Sequence, residues 1–378
     1  MLLELAAGEY RCKAAAPVDT PIGWTLPGDG VLRNRLAARI SPLPLTEGDL
    51  DTLVRWAAEQ SPDHIAEMEM LQTLRVRLAT ALRTRTEISG LLLLGPPAGR
   101  SAYNGGDRSI VNACAAQFAL MIENGRLTNR VVEQEKLRRD LALAAEVQRR
   151  LLPERPPETP GATLAAMSVP ARAVGGDYFD FLDAGDHGIS IAFADVAGKG
   201  IAAALIMSAL HASLRILASE AGLSLPQLAA KMNRFLYEST GSKSYATFFY
   251  ARVEADGRQL RYVNAGHLPP YLLRPSPPSI QELSTGGAVI GLFPQMAYEE
   301  ATVSLQSGDV LVIFTDGVTE AMNERDEEFG EERLKALLPE ILCLPVGEIS
   351  ARISAELKAW INDAPQYDDL TFVVMKVN

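Results

Sequence analysis

From Ala119 to Leu152 the chain contains no proline and one glycine, Gly125, and the cluster Pro153–Pro160 (PERPPETP) then ends the run. A stretch so free of helix breakers, closed by so strong a one, is expected to be a long helix. Leu120, Asn124, Leu127, Val131, Gln134, Arg138, Leu141, Ala145, Gln148 and Leu152 recur at alternating steps of four and three, the spacing of a coiled-coil seam. A second track through Leu137, Leu141, Ala144, Val147 and Leu151 competes with it. The expectation is a connecting helix that pairs with a second copy, a single amphipathic helix on its own domain being the alternative. At 378 residues the chain exceeds what one core usually serves. The helix therefore divides it into a module over 1–127, a linker over 128–152 and a larger domain over 153–378.

Composition narrows the class. Net charge is −11, which disfavours nucleic acid and anionic membranes as general partners. Cys12, Cys114 and Cys343 lie far apart with no CxxC pair, so neither a disulfide framework nor a structural zinc site is expected. Cys343 sits in an apolar stretch and reads as a buried thiol. Residues 1–15 lack the pattern of a signal peptide, and no stretch of about 18 apolar residues is expected to span a bilayer. The reading is a cytoplasmic protein.

In the first module Leu2–Ala6, Leu74–Leu78 and Ile88–Leu94 have strand character, and Leu50–Gln60 and Ser109–Ile122 read as helices. Prolines 17, 21, 27, 42, 44, 96 and 97 punctuate the loops. Beyond Pro160, strands are expected at Ile189–Ala194, Ala246–Val253, Gln259–Asn264, Ala301–Leu305, Val310–Phe314 and Leu370–Val377. Helices are expected at Ile201–Leu217, Leu225–Tyr237, Glu331–Leu337 and Gly347–Ile361. Strands in runs and helices in pairs predict α+β layers rather than βαβ alternation.

The chemistry-bearing residues are aspartates at strand ends or in glycine turns: Asp177 after Gly175-Gly176, Asp195 before Gly198-Lys199-Gly200, Asp316 before Gly317, and Asp368-Asp369 before the last strand. Singly, each is an ordinary turn residue. Together they form a set of rigidly placed oxygen donors of the kind hard divalent cations such as magnesium or manganese prefer. Competing chemistries find little support. His187, His211 and His267 are scattered, no GxSxG elbow occurs, and Gly198-Lys199-Gly200 lacks the leading glycine and the Ser/Thr of a P-loop.

Val174–Phe181 (VGGDYFDF), Ala194–Gly200 (ADVAGKG) with Ala203 and Met207, Thr247–Tyr250 (TFFY), Asn264–Pro269 (NAGHLP), Thr315–Asn323 (TDGVTEAMN), Phe329-Gly330 and Tyr367–Thr371 (YDDLT) closely resemble RsbU/SpoIIE-type phosphatases. These are the bacterial branch of the metal-dependent PPM (type 2C) serine/threonine protein phosphatases. The match runs from about Ala145 to the C-terminus with the motifs in order. It implies a β-sandwich flanked by helix pairs and a centre of two Mn²⁺ or Mg²⁺ ions. Asp195 would bridge both ions and the carbonyl of Val196 would help hold one. Asp316 and Asp368 would hold the other, with Asp369 the near-equivalent of Asp368, and Asp177 would support the site directly or through water. The wider family's histidine two positions after the bridging aspartate is Ala197 here, and no secure phosphate-gripping arginine is found, although Arg172 is near. His267 reads as a loop histidine bonded to backbone, and Lys199 as a solvent-facing lysine.

Gly90–Gly95 (GLLLLG), the loop to Asp107 and Ala115–Leu127 (AAQFALMIENGRL) resemble the end of a GAF sensory domain running into its exit helix. The first strand lies almost at the chain's start, which leaves room for a truncated form of that module, and its small ligand or protein partner is not specified. The combined resemblance implies a sensor-regulated phosphatase acting on a phosphorylated anti-sigma-factor antagonist. A dimeric scaffold without activity and a metal-dependent nucleotide phosphohydrolase are the alternatives.

Overall fold

The computed structural model describes residues 1–16, 24–85, 87–183, 188–220, 222–240 and 244–378; Pro17, Pro21 and His187 therefore lie outside the described residues. Two units pack internally, Met1–Leu137 and Arg138–Asn378.

In the first unit β1 (Leu2–Ala6), β2 (Glu9–Ala14), β3 (Thr25–Pro27), β4 (Leu43–Pro44), β5 (Leu78–Arg83) and β6 (Ile88–Leu94) form one antiparallel sheet in the order β3-β2-β1-β6-β5-β4. Alternation along β6 sends Leu91 and Leu93 to one face and Leu92 to the other. The first face packs under α1 (Val31–Ala37), α2 (Glu47–Gln60) and α3 (Ile65–Thr73) through Leu32, Leu36, Leu53 and Leu71. A Thr46–Asp49 capping box starts α2. The buried Glu67 carboxylate accepts the Val31 and Leu32 amides at 2.8 and 2.9 Å, satisfying the open N-terminus of α1. The expected strand at Leu74–Leu78 is displaced. Leu74 closes α3, Arg75 turns the chain with φ +51°, and pairing begins at Leu78.

The two helices expected between Ser109 and Leu152 are one, α4 (Gly105–Arg149), which passes through Gly125 and ends three residues short of Leu152. Leu120, Leu127, Val131 and Leu137 on it are exposed.

In the second unit β7 (Ala162–Val169), β8 (Tyr178–Asp183), β9 (Ile189–Val196), β10 (Ala246–Val253), β11 (Gln259–Ala265), β12 (Tyr271–Pro275), β13 (Pro278–Glu282), β14 (Gly286–Gly287), β15 (Ala301–Ser304), β16 (Val310–Phe314) and β17 (Leu370–Val377) build two sheets. One runs β14-β11-β10-β9-β8 with β15 also on β11, and the other runs β13-β12-β16-β17-β7. Phe179, Ile191, Phe193 and Phe249 of the first meet Leu272, Leu311, Ile313, Val373 and Met375 of the second. Residues of opposite parity face outward and carry helices. Tyr178, Ala192, Ala194 and Phe248 pack under α5 (Ile201–Ala218) and α6 (Leu225–Thr240). Val312, Phe314, Phe372 and Val374 pack under α8 (Glu331–Ile341) and α9 (Val346–Ile361), the short α7 (Asp316–Thr319) lying between. The result is a β-sandwich with a helix pair on each outer face.

Two sequence expectations need correction here. By length and apolarity α5 would pass for a membrane span, yet its Ala203, Met207, Leu210 and Leu214 are core. Cys343 is exposed, because in the turn after α8 it is Leu342 that packs inward.

A buried ion pair fixes α5 to the first sheet. Asp180 is 0% exposed and takes Arg215 Nε and Nη2 at 2.8 and 2.9 Å, the Tyr178 hydroxyl at 3.0 Å and the Phe181 amide at 2.8 Å. Removing the guanidinium strands a buried carboxylate, whereas Arg215 itself is half exposed. Arg215→Met is therefore expected to cost about 2–3 kcal/mol, or roughly 5–10 °C in Tm for a unit of this size. Thermal unfolding checks this; a shift below ~2 °C would show that the pair does not hold the helix.

Candidate metal centre

The aspartates gather at one end of the sandwich. Asp195 is the penultimate residue of β9, inside the strand rather than beyond it, because pairing with β10 continues to Val196. It shares parity with Ile191 and Phe193, so it points between the sheets. From the opposite sheet Thr315, just past β16, donates its hydroxyl to Asp177 Oδ2 at 3.0 Å and accepts the Thr371 amide at 3.2 Å. Asp316 follows as the first residue of α7.

Asp368 and Asp369, left as near-equivalents by sequence, differ in their surroundings. The Asp369 carboxylate accepts the Ala171 and Gly176 amides at 2.8 and 2.7 Å, latching the turn that carries Asp177. The approach is so close that a β-carbon on Gly175 would stand 2.2 Å from Asp369 Oδ2. Asp368 instead presents Oδ2 to Lys199 Nζ at 2.7 Å. Lys199 is solvent-exposed, as expected, and is in addition an ion-pair partner that also donates to the Tyr367 carbonyl at 2.9 Å. The Val196 carbonyl faces the Gly176 backbone, 2.9 Å from where a β-carbon would sit.

The family model described as Stage II sporulation protein E (SpoIIE) matches residues 185–378, just over half of the chain. Over 244 residues the sequence is 32% identical to the phosphoserine phosphatase RsbU of Bacillus subtilis (strain 168), across 64% of this chain and 71% of RsbU. This chain belongs to the SpoIIE family. The SiaA-PP2C domain of Pseudomonas aeruginosa shares the fold at a TM-score of 0.57 and 22% identity, over 65% of this chain and 99% of that one. The RsbU and RsbW domains of Rv1364c from Mycobacterium tuberculosis give 0.51 at 27% identity, over 60% and 63%.

In this SpoIIE-family site, burial and like charge act together on the carboxyls. Desolvation first, and then Asp195, pushes Asp177 far above the ordinary carboxylate range. Desolvation with Asp316, Asp368 and Asp369 nearby pushes Asp195 up to about 7, against a hydrogen bond with Asp177 that lowers it. Asp316 is raised by burial and by Asp368, partly offset by the Gly317 amide and Lys199. Among the described residues no three His, Cys, Asp or Glu side chains form a ready ligand cage. The donor set is oxygen only, and its unmatched charge suits a hard divalent cation.

Sequence reasoning missed the latch role of Asp369, the Thr315 bridge and the setting of His267. His267 is buried; its Nδ1 meets the Thr247 hydroxyl at 2.8 Å, and its main-chain amide donates to Asn264 Oδ1 at 2.7 Å. Its ring thus engages the Phe314 backbone, as expected, and the Thr247 side chain as well. Desolvation lowers its pKa to about 4, keeping the ring neutral. His211 sits on α5 with its ring edge-on to Tyr178. The NAGH and TFFY segments contain His267 and Thr247, but no local signal pairs them; Thr247 stands opposite Asp195 in the β9–β10 register.

The raised carboxyls fix the sign of a pH effect. Native Asp195 binds a proton between about 4 and 7 that the unfolded chain has released, so unfolding free energy falls as pH rises through that window and levels off above it. Asp195 and Asp177 titrate as a pair, and Asp195→Asn removes the repulsion. In chelator, the variant's Tm advantage over wild type is expected to grow from pH 5 to pH 8. An advantage that does not change with pH would contradict the repulsive cluster.

Proposed function

We propose that this chain is a divalent-cation-dependent phosphatase that removes phosphate from serine or threonine of a partner protein. The observation that carries the reading is the convergence of Asp177, Asp195, Asp316 and Asp368 from separate elements at the end of the sandwich, at a cost in desolvation that a purely structural cluster would not need. Asp195, Asp316, Asp368 and the Val196 carbonyl would hold two Mn²⁺ or Mg²⁺ ions, with Asp177 in support. Bound there, such ions supply Lewis acidity toward water and phosphoryl oxygens.

The chain's own residues do the rest. Asp195 and Asp177 give up the proton they retain when a cation arrives. Thr315 orients Asp177 and Asp369 fixes the turn beneath it. Lys199 lines the rim, and the Arg172 guanidinium reaches the Gly200 turn beside it, offering positive charge where a phosphoryl group enters. Ala197 supplies no acid for the leaving group.

Control would come through α4. The Gln148 amide donates to the Gly175 carbonyl at 2.8 Å and accepts the Gly175 amide at 3.1 Å, tying the last turn of the helix to the Asp177 loop. That contact takes Gln148 out of the dimer seam in which sequence placed it. The exposed stripe of Leu120, Leu127 and Val131 supports pairing with a second copy. The antiparallel sheet with α1, α2 and α3 on one face and the first part of α4 on the other supports the GAF-like reading of residues 1–127, which would bind a small ligand or protein. With RsbU among the relatives, the substrate is read as a phosphorylated anti-sigma-factor antagonist in a cytoplasmic partner-switching pathway.

Incubating the full-length chain with a phosphoserine form of such an antagonist should release phosphate only with Mn²⁺ or Mg²⁺, and Asp195→Asn should retain less than about a tenth of the rate. Full activity after exhaustive chelation, or ATP hydrolysed faster than any phosphoprotein, would overturn the reading.

A further inference from the structure

Lys199 is the cation that, among the described residues, is ion-paired to the aspartate cluster. Its ammonium lies 2.7 Å from Asp368 Oδ2 and 2.9 Å from the Tyr367 carbonyl. It stands between Gly198 and Gly200, whose φ values of +101° and +78° form a turn that side-chain-bearing residues adopt with strain. The turn delivers the side chain across to the β17 end of the site while α5 starts behind it at Ile201. The pair is partly open to water, with the two side chains 43% and 34% exposed. A pair of that kind holds by about 1 kcal/mol or less. A divalent ion on the same carboxylate brings twice the charge and can also use Asp316 and Asp195.

We propose that Lys199 is a tethered counter-ion that occupies the Asp368 carboxylate until a divalent cation displaces it, and that displacement frees its ammonium at the rim for the incoming phosphoryl group. The inference rests on the metal-centre reading and goes beyond it by giving one residue two opposed effects. Before metal arrives, Lys199 relieves repulsion among Asp316, Asp368 and Asp195. For the metal it is a competitor, so it weakens cation affinity and makes loading a step that also arms the substrate side. Arg172 beside Gly200 would share the freed position.

The test uses full-length protein and Mn²⁺ alone. Isothermal titration of Lys199→Met should show at least one Mn²⁺ site tightened by about fivefold, the equivalent of removing a competing pair of this exposure. Its Tm in chelator should be lower than wild type. Lys199→Arg, which keeps the charge, should bind Mn²⁺ within about twofold of wild type, an outcome a merely structural lysine would not separate from Lys199→Met. In wild type, acylation of Lys199 followed by mass spectrometry should increase when Mn²⁺ is added. Equal Mn²⁺ affinity in wild type and Lys199→Met, or labelling unchanged by Mn²⁺, would overturn the displacement while leaving the metal centre standing. Failure of both wild type and Lys199→Met to bind Mn²⁺ would overturn the metal-centre reading and this inference together.

Discussion

Repulsion between carboxylates withdrawn from water is the interaction around which the second unit is arranged. Asp177, Asp195 and Asp316 each sit where burial alone raises the pKa, and each faces another acid. Nothing local would keep them together. They stay close because β9 and β16 belong to different sheets of one sandwich, and the core of Phe193, Ile313 and Val373 fixes those sheets face to face. The packing free energy of that core opposes a local electrostatic cost, an arrangement expected of a site built for a ligand rather than for stability.

The supporting contacts serve the same end. Asp369 adds to the charge felt by Asp177 and Asp195, yet its oxygens accept backbone amides, which makes it the anchor of the Gly175-Gly176 turn. Thr315 links Asp177 to the opposite sheet, and Arg215 with Asp180 holds α5 so that its leading turn, with Lys199, meets the β17 end. Gln148 extends the chain of contacts from the same glycine turn to α4.

Much of this was legible in sequence because it depends on local rules. Short apolar runs marked β9, β10, β16 and β17, and the paired helices followed from longer apolar segments. The glycines beside the aspartates marked close backbone approach, and the Asp369–Gly175 contact is the physical reason. What sequence could not resolve was long-range. Asp368 and Asp369 are adjacent in the chain, and only the fold turns one toward backbone amides and the other toward Lys199. His267 is the loop residue it looked like, but its side-chain partner, Thr247, lies on β10, beyond the reach of local spacing. Leu74–Leu78 looked like a strand because apolar spacing cannot show that α3 runs on to Thr73 and that Arg75 makes the turn. In α4, Gln148 fitted a seam by spacing alone, whereas its amide complements both backbone polar groups of one residue, Gly175.

The central claim is that these acids are gathered to hold two cations at once. Titrating Mn²⁺ into the full-length chain while recording electron paramagnetic resonance spectra tests it directly. The account predicts two ions bound per chain, with the exchange-coupled spectrum of neighbouring Mn²⁺ centres. A single isolated Mn²⁺ signal at saturation, or no binding, would contradict it.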